Sequence, residues 1–150
     1  MNDFTHLDDE GKIRMVDISD KSISIRTAKA SGIIKLKKET INLIRNNEIK
    51  KGNVLSTAKI AGINTAKSTS TIVPLCHPIP IDWVDIKIEI KNSDIYVECT
   101  AKTTWKTGIE MEAMCGVMGA LLSIYDMCKA VDKDMVIENI RLLEKTKENV

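Results

Sequence analysis

The sequence has few aromatic residues and almost no net charge. One Phe, two Tyr and two Trp occur among 150 residues, and the formal net charge is +1. Proteins that bind single-stranded nucleic acid combine a basic groove with stacking aromatic side chains, and duplex DNA attracts strongly basic surfaces. The chain has neither feature, so we predict no nucleic-acid partner. Ile, Val, Leu and Met must fill most of its core.

Long hydrophobic runs are also missing. The longest nearly uncharged run, residues 113–125, is shorter than the ~20 residues that a membrane-spanning helix needs. The N-terminus, MNDFTHLDDE, is polar, unlike the apolar centre of a signal peptide. These features predict no membrane association and a cytoplasmic protein. The length suits a single domain with its own core.

The cysteines are not paired in sequence. Cys76, Cys99, Cys115 and Cys128 include no C-x-x-C motif, which disfavours a zinc ribbon or a redox dithiol. Cys76 and His77 are neighbours, but adjacent side chains in an extended loop point apart, which disfavours a thiol–imidazole nucleophile or a metal site. We therefore predict reduced thiols and no metal.

The most informative stretch is residues 106–130, KTGIEMEAMCGVMGALLSIYDMCKA. Thr107 and Glu110 have capping-box spacing, in which both side chains satisfy free amide groups of a first helical turn. This predicts a long helix that begins near Gly108. One stripe of this helix carries mostly large side chains and is expected to face the core: Met114, Met118, Leu121, Tyr125 and Cys128.

The opposite stripe of this helix combines glycines with carboxylates. It contains Glu112, Gly116, Gly119, Ser123 and Asp126. A glycine inside a helix costs about 1 kcal/mol relative to alanine, so two of them indicate a packing or functional need. Either another helix of the same chain packs closely here, or a second subunit does so about a two-fold axis near Gly119.

The rest of the chain predicts an α+β protein. Residues 1–12 are polar and are predicted to be a mobile N-terminal arm, followed by a single catalytic domain at 13–150. The domain should contain, in order, an extended segment bent at 28–32, helices at 37–46 and 53–67, a hairpin of 84–90 and 95–101, the long helix, and a strand within 134–143. This order predicts a ferredoxin-like sandwich, with an antiparallel sheet and helices on one face.

Several side chains could act in catalysis or substrate binding, and each also has an ordinary structural explanation. Asp126 and Lys129, at i and i+3, either form a proton-exchanging pair or a common helix salt bridge. Glu110 and Glu112 either act on a substrate or stabilise the first helical turn. Lys51, just before a predicted helix, either neutralises phosphate or is simply solvated.

Five stretches, taken together, resemble a known family. They are MVDIS (15–19), KGNVLSTAKIAGINTAK (51–67), VPLCHP (73–78), KTGIEMEAM (106–114) and IYDMCKAVDKDMVI (124–137). The chain resembles the molybdenum cofactor biosynthesis protein C family, the cyclic pyranopterin monophosphate synthases. It departs at Asn53, Lys59 and Met114, where the family usually has Asp, Arg and Leu; Asn53 can still cap a helix.

The resemblance implies an enzyme that converts 3′,8-cyclo-7,8-dihydro-GTP into cyclic pyranopterin monophosphate and pyrophosphate. It implies a ferredoxin-like fold, no cofactor, a homo-hexamer built as a trimer of dimers, and a transient contact with the preceding radical enzyme. The implied catalytic residues are Lys51, His77, Glu110, Glu112, Asp126 and Lys129, and the implied substrate-binding residues are Cys76, Lys106, Met111 and Arg26.

The reaction class suggests roles for these residues. Opening and closing a ring needs proton donors and acceptors, and a triphosphate needs cations. Lys129 tuned by Asp126 would transfer protons, and Lys51, with Lys106 and Arg26, would bind phosphate. Glu110, Glu112 and His77 would hold or protonate the purine. The alternative is a non-catalytic oligomer that binds a small molecule, because ferredoxin-like folds also serve as ligand sensors.

Overall fold

The computed structural model describes residues 5–150, which form four strands and four helices. In chain order they are β1 (Ser24–Lys35), α1 (Lys38–Arg45), α2 (Val54–Lys67), α3 (Thr69–Ile72), β2 (Trp83–Ile90), β3 (Asp94–Trp105), α4 (Glu110–Cys128) and β4 (Val136–Asn149). The two predicted helices before the hairpin, the hairpin itself and the long helix are confirmed. The single-turn α3 was not predicted, and β4 runs further than the sequence pattern indicated.

The four strands form one antiparallel sheet in the order β2-β3-β1-β4. This order and the alternation of helices and strands are those of the ferredoxin-like arrangement. Residues that point to the helices make the core, including Ile34, Ile95 and Val97, each completely buried. The predicted α+β class with an antiparallel sheet is confirmed.

β1 is continuous through the small residues at 28–32, so the predicted bend there is wrong. Ala28 and Ala30 are buried, and a Cβ on Gly32 would lie 2.9 Å from side-chain atoms of both Val117 and Leu121. The small residues are therefore explained by the close approach of α4 to the sheet. The irregularity of this region lies in the pairing of β1 with β4, which shifts register twice.

The starts of the two longest helices differ in how they are capped. The Asn53 side chain accepts a hydrogen bond from the Ser56 amide at 2.8 Å, so the departure from Asp at position 53 preserves the cap of α2. The first helical residue of α4 is Glu110, its N-cap residue is Ile109, and no side chain caps it. The predicted capping box of Thr107 and Glu110 is wrong, because the helix begins two residues later than expected.

The glycine stripe of α4 packs inside its own chain. A Cβ on Gly116 would lie 2.6 Å from Cys99 Sγ, and one on Gly119 would collide with the Thr65 side chain of α2. Contacts within the chain therefore account for these glycines, as the first of the two interpretations predicted. A two-fold axis near Gly119 stays a prediction. The prediction that the stripe of large side chains on α4 faces the core is only partly correct, since Leu121 is buried but Met118 is half exposed.

α4 is long and apolar enough for a membrane span by length and composition, with a hydropathy of 1.3. A buried core helix meets the same criteria. α4 packs on α2 and across the sheet, so its apolar composition is explained by its place in the fold.

The described part of the predicted arm is folded into a small turn. Residues Leu7 and Ile13 form a β-bridge, and Asp8 accepts hydrogen bonds from the amides of Glu10 and Lys12. Residues 1–4 of the predicted arm lie outside the described residues. The mobility of the arm stays a prediction.

Asp132 joins the end of β1 to the start of α1 and was not singled out from the sequence. It is 1% exposed, and its Oδ2 accepts hydrogen bonds from the Lys37 amide and the Thr40 hydroxyl, both at 2.9 Å. Burial disfavours the charged carboxylate, but these donors outweigh burial and lower the pKa of Asp132.

Replacing Asp132 with Ala should destabilise the protein by about 2–4 kcal/mol, because the buried Thr40 hydroxyl and the partly buried Lys37 amide lose their acceptor. A lowered native pKa stabilises the fold at pH values above the ordinary aspartate range, and this contribution disappears as the pH falls through that range. Urea unfolding at pH 7 and pH 3 measures both effects. Asp134→Ala, at an exposed neighbouring acid, is the control and should change stability little.

Candidate active site

His77 lies in the proline-rich loop, residues 74–80, where it contacts the N-terminal segment, residues 5–21. Its Nε2 lies 2.7 Å from the carbonyl oxygen of Val16. A carbonyl oxygen only accepts hydrogen bonds, so Nε2 carries the proton and Nδ1 is the nitrogen left to accept one when the ring is neutral. The loop and the segment together fix the tautomer of His77.

A cavity of about 310 Å³ opens beside this histidine. Its walls are the proline-rich loop, the first turn of α4 and the N-terminal segment. Five of the predicted site residues line it, and we call them the first cluster: Cys76, His77, Glu110, Met111 and Glu112. The structure therefore brings half of the predicted site together in one cavity.

Glu112 is the most perturbed carboxyl group of this cavity. It is 5% exposed, and burial raises its pKa to about 7, with a smaller contribution from the nearby charge of Glu110. A carboxyl group with a pKa near neutrality can both donate and accept a proton under physiological conditions. The ordinary explanation of Glu112, stabilisation of a helix start by a charged side chain, fits poorly with such a group.

Cys76 lines the same cavity as a protonated thiol. Burial raises its pKa, and the negative charges of Glu112 and Glu110 raise it further. A thiol activated as a nucleophile needs the opposite shift. The environment of Cys76 thus favours a binding role over a nucleophilic one.

The other end of α4 carries a second cluster. Lys51 Nζ and Lys129 Nζ each lie 3.0 Å from a different carboxylate oxygen of Asp126. Hydrogen bonds from Lys51 and then Lys129 lower the pKa of Asp126. All three side chains are about half exposed, so this ion-paired cluster is open to a ligand.

The two clusters cannot serve one small molecule within a single chain. At ~1.5 Å per residue, Glu112 and Asp126 are about 21 Å apart along the axis of α4. Lys106 lies near the first cluster, where its Nζ donates to the Ser19 carbonyl at 2.8 Å. Arg26 lies on β1 between Thr103 and Lys147, outside the cavity lining, and its Nε has no partner within residues 5–150.

Comparison with known proteins assigns the chain to a family. A model of the MoaC family matches residues 15–148, which include every candidate described above. The chain belongs to the MoaC family. This membership confirms the resemblance that the sequence motifs indicated.

Named relatives of the MoaC family match over nearly the whole chain. Proteins called cyclic pyranopterin monophosphate synthase from Peptoclostridium acidaminophilum and Clostridium acetobutylicum are 51% and 50% identical, over 96% and 95% of this chain and 92% and 90% of their own length. A molybdenum cofactor biosynthesis bifunctional protein from Chlorobaculum tepidum is 54% identical over 96% of this chain. The chain spans only 46% of that longer protein.

Three further residues of this MoaC-family chain lie at the first cluster or its cavity. The sequence patterns did not predict them. Lys145 of β4 lies 3.5 Å from Glu110, and His6 and Lys21 line the cavity. Lys145 enters because β4 runs beside β1 for its whole length, which the sequence pattern did not indicate. His6 was assigned to the arm, and only the folded path of the chain returns it to the cavity.

Replacing Glu112 with Gln should stabilise the protein at pH 8 by up to about 3 kcal/mol, at about 1.4 kcal/mol per pKa unit. A raised native pKa means that the unfolded chain releases the proton first, so stability falls as the pH rises from about 4.5 to about 7. Glutamine has no proton to release. Urea unfolding should show little difference at pH 4 and a clear gain at pH 8, whereas Glu89→Gln, at an exposed acid of β2, should show neither.

Proposed function

We propose that the chain is a cyclic pyranopterin monophosphate synthase, a lyase of molybdenum cofactor biosynthesis. Its substrate is the cyclised GTP derivative 3′,8-cyclo-7,8-dihydro-GTP, and its products are cyclic pyranopterin monophosphate and pyrophosphate. The observation that carries this proposal is family membership over residues 15–148, with relatives of that name at about half identity. The two clusters supply the proton donors, proton acceptors and cations that the reaction needs.

The active site is composed of two subunits. The first cluster contains His77 and the carboxyl groups of Glu110 and Glu112. The second contains Lys51 and Lys129. Neither cluster alone has all the groups that the reaction needs. The surface between them carries exposed apolar side chains, Met118 at 50%, Leu122 at 64% and Ile72 at 54% exposure. A second copy that covers this apolar surface about a two-fold axis would bring the first cluster of one chain to the second cluster of the other.

This interface does not require the glycines, whose close contacts are explained within the chain. Met118 and Leu122 are exposed side chains of α4. They line an apolar groove that also includes Thr65 of α2 and Asp126 of the second cluster. Continuity of the groove with the second cluster is what supports its use between copies. We propose that such dimers assemble into a homo-hexamer, as a trimer of dimers.

Each residue of the composite site has its own role in the reaction. Lys129 transfers protons, because Asp126 holds its ammonium group in place and the side chain remains exposed. Lys51 binds the triphosphate, with Lys106 and Arg26 as further cations. Glu112, with a pKa of about 7, exchanges protons with the purine, and His77 and Glu110 orient it, while Cys76 and Met111 contact its faces.

Incubation of the purified protein with the cyclised nucleotide tests the proposal. The enzyme should release pyrophosphate and a pterin that fluoresces after oxidation. A non-catalytic binding oligomer, the alternative, would leave the nucleotide intact. The same assay with a chelator should give the same rate, because we propose that neither a metal nor a cofactor takes part; complete loss restored by one metal ion would contradict this.

The cellular setting is also part of the proposal. We place the protein in the cytoplasm, with no membrane or nucleic-acid partner. It receives its nucleotide from the preceding radical enzyme, so a transient contact with that enzyme would shorten the substrate's path through solution. Co-sedimentation of the two purified enzymes at low salt would detect this contact.

A further inference from the structure

The cavity has one wall that the proposed catalytic residues do not explain. The N-terminal segment, residues 5–21, forms this wall, and we call it the N-terminal strap. Five strap residues line the cavity: Thr5, His6, Val16, Ile18 and Lys21. The strap therefore forms part of the binding surface, although the sequence pattern assigned its first half to an arm.

Contacts with proposed site residues hold the strap in this position. The Val16 carbonyl accepts from His77 at 2.7 Å and the Ser19 carbonyl accepts from Lys106 at 2.8 Å. The His6 carbonyl accepts from the Arg14 amide at 2.9 Å, which folds the first half of the strap back on the second. The position of His6 at the cavity is thus fixed by main-chain hydrogen bonds on both halves of the strap.

The two sides of the cavity are lined by different ionisable residues. On the strap side these are His6 and Lys21, and on the α4 side they are Glu110 and Glu112, with Lys145 beside Glu110. The strap also contains acidic residues, but none of its aspartates lines the cavity. Imidazole and ammonium groups donate hydrogen bonds to phosphate oxygens, and carboxyl groups accept hydrogen bonds from the N–H groups of a purine.

We propose that His6 and Lys21 are further substrate-binding residues that hold phosphate groups of the nucleotide while Glu110 and Glu112 hold its base. The inference rests on the proposed function and deepens it, because it fixes the direction in which the nucleotide enters the cavity. The strap then acts as a specificity element: a nucleotide bound in reverse would place phosphates against carboxyl groups.

Two inhibitors distinguish binding at the strap side of the cavity from binding at the α4 side. Inorganic tripolyphosphate carries only the anionic part of the substrate, and guanosine carries only the base and the sugar. The variants His6→Ala and Lys21→Ala should each raise the inhibition constant of tripolyphosphate about tenfold and leave that of guanosine within about twofold. Glu112→Gln should do the opposite, with binding of both compounds measured by calorimetry because this variant should be inactive. The Michaelis constant for the nucleotide should rise in both strap variants with little change in turnover at saturation.

Lys12→Ala is the matched control, since Lys12 lies on the strap but outside the cavity lining, and it should change neither constant. Thermal unfolding of each variant checks that the strap change has not unfolded the protein. Unchanged tripolyphosphate inhibition in folded His6→Ala and Lys21→Ala, or equal changes for both inhibitors, would overturn the inference. If the wild-type protein binds tripolyphosphate by calorimetry but turns over no nucleotide, the proposed function fails, and the same titration of the variants still decides the role of the strap.

Discussion

A mixture of Glu112→Gln and Asp126→Ala subunits should recover about a quarter of wild-type turnover, although each variant alone should be inactive. If the site is composed of the start of α4 from one subunit and its end from another, a mixed dimer has one doubly altered site and one intact site. Random exchange makes half of the dimers mixed, which gives the expected quarter. Activity is measured as pyrophosphate release before and after subunit exchange.

A second mixture provides the control for this experiment. Glu112 and His77 line the same cavity, so exchange between Glu112→Gln and His77→Ala subunits leaves every site altered and should restore nothing. Subunit exchange itself can be followed by mass spectrometry of differently labelled chains. No recovery in the first mixture despite exchange, or equal recovery in both, would show that the two clusters do not combine across subunits.

Lys129→Arg should reduce turnover by about 10²- to 10⁴-fold while nucleotide affinity largely survives. Arginine keeps the positive charge beside Asp126 but cannot release a proton near neutral pH, so a proton-transfer role is lost and a charge role is kept. Single-turnover kinetics measures the chemical step, and calorimetry with the unreactive nucleotide GTP measures binding.

Lys133→Arg makes the same change at an exposed lysine just beyond the second cluster, and it should behave as wild type. Near-normal turnover of Lys129→Arg would instead mean that Lys129 acts only as a fixed charge. A parallel loss of binding and turnover would assign it to substrate binding alongside Lys51. The three outcomes differ in which kinetic constant changes, so one set of measurements distinguishes them.

Local sequence patterns predicted most of the secondary structure because their causes are local. Alternating apolar residues on both sides of Asn92 and Ser93 predicted the hairpin of β2 and β3, and Asn53 predicted the start of α2. The capping box failed at α4, since Thr107 and Glu110 have the required spacing but the helical backbone begins only at Glu110. Side-chain type alone does not determine where a helix begins within one turn.

The glycines of α4 show where sequence reasoning reached its limit. Gly116 and Gly119 indicated a close contact, and that inference was correct. The partner was not determined, because a helix of the same chain and a helix of another chain impose the same demand for small residues. Only the tertiary structure, in which Thr65 of α2 lies against Gly119, decided between them.

The sequence by itself determined the α+β class, the order of the elements and, through its motifs, the family, because these depend on residue type and spacing along the chain. The tertiary structure decided what depends on contacts between distant segments. It buried Glu112, which raises the pKa of Glu112 to about 7. It also placed His6 at the cavity and Lys145 beside Glu110. The separation of the two clusters follows from the sequence instead, since a rigid helix holds Glu112 and Asp126 apart by their spacing along the chain.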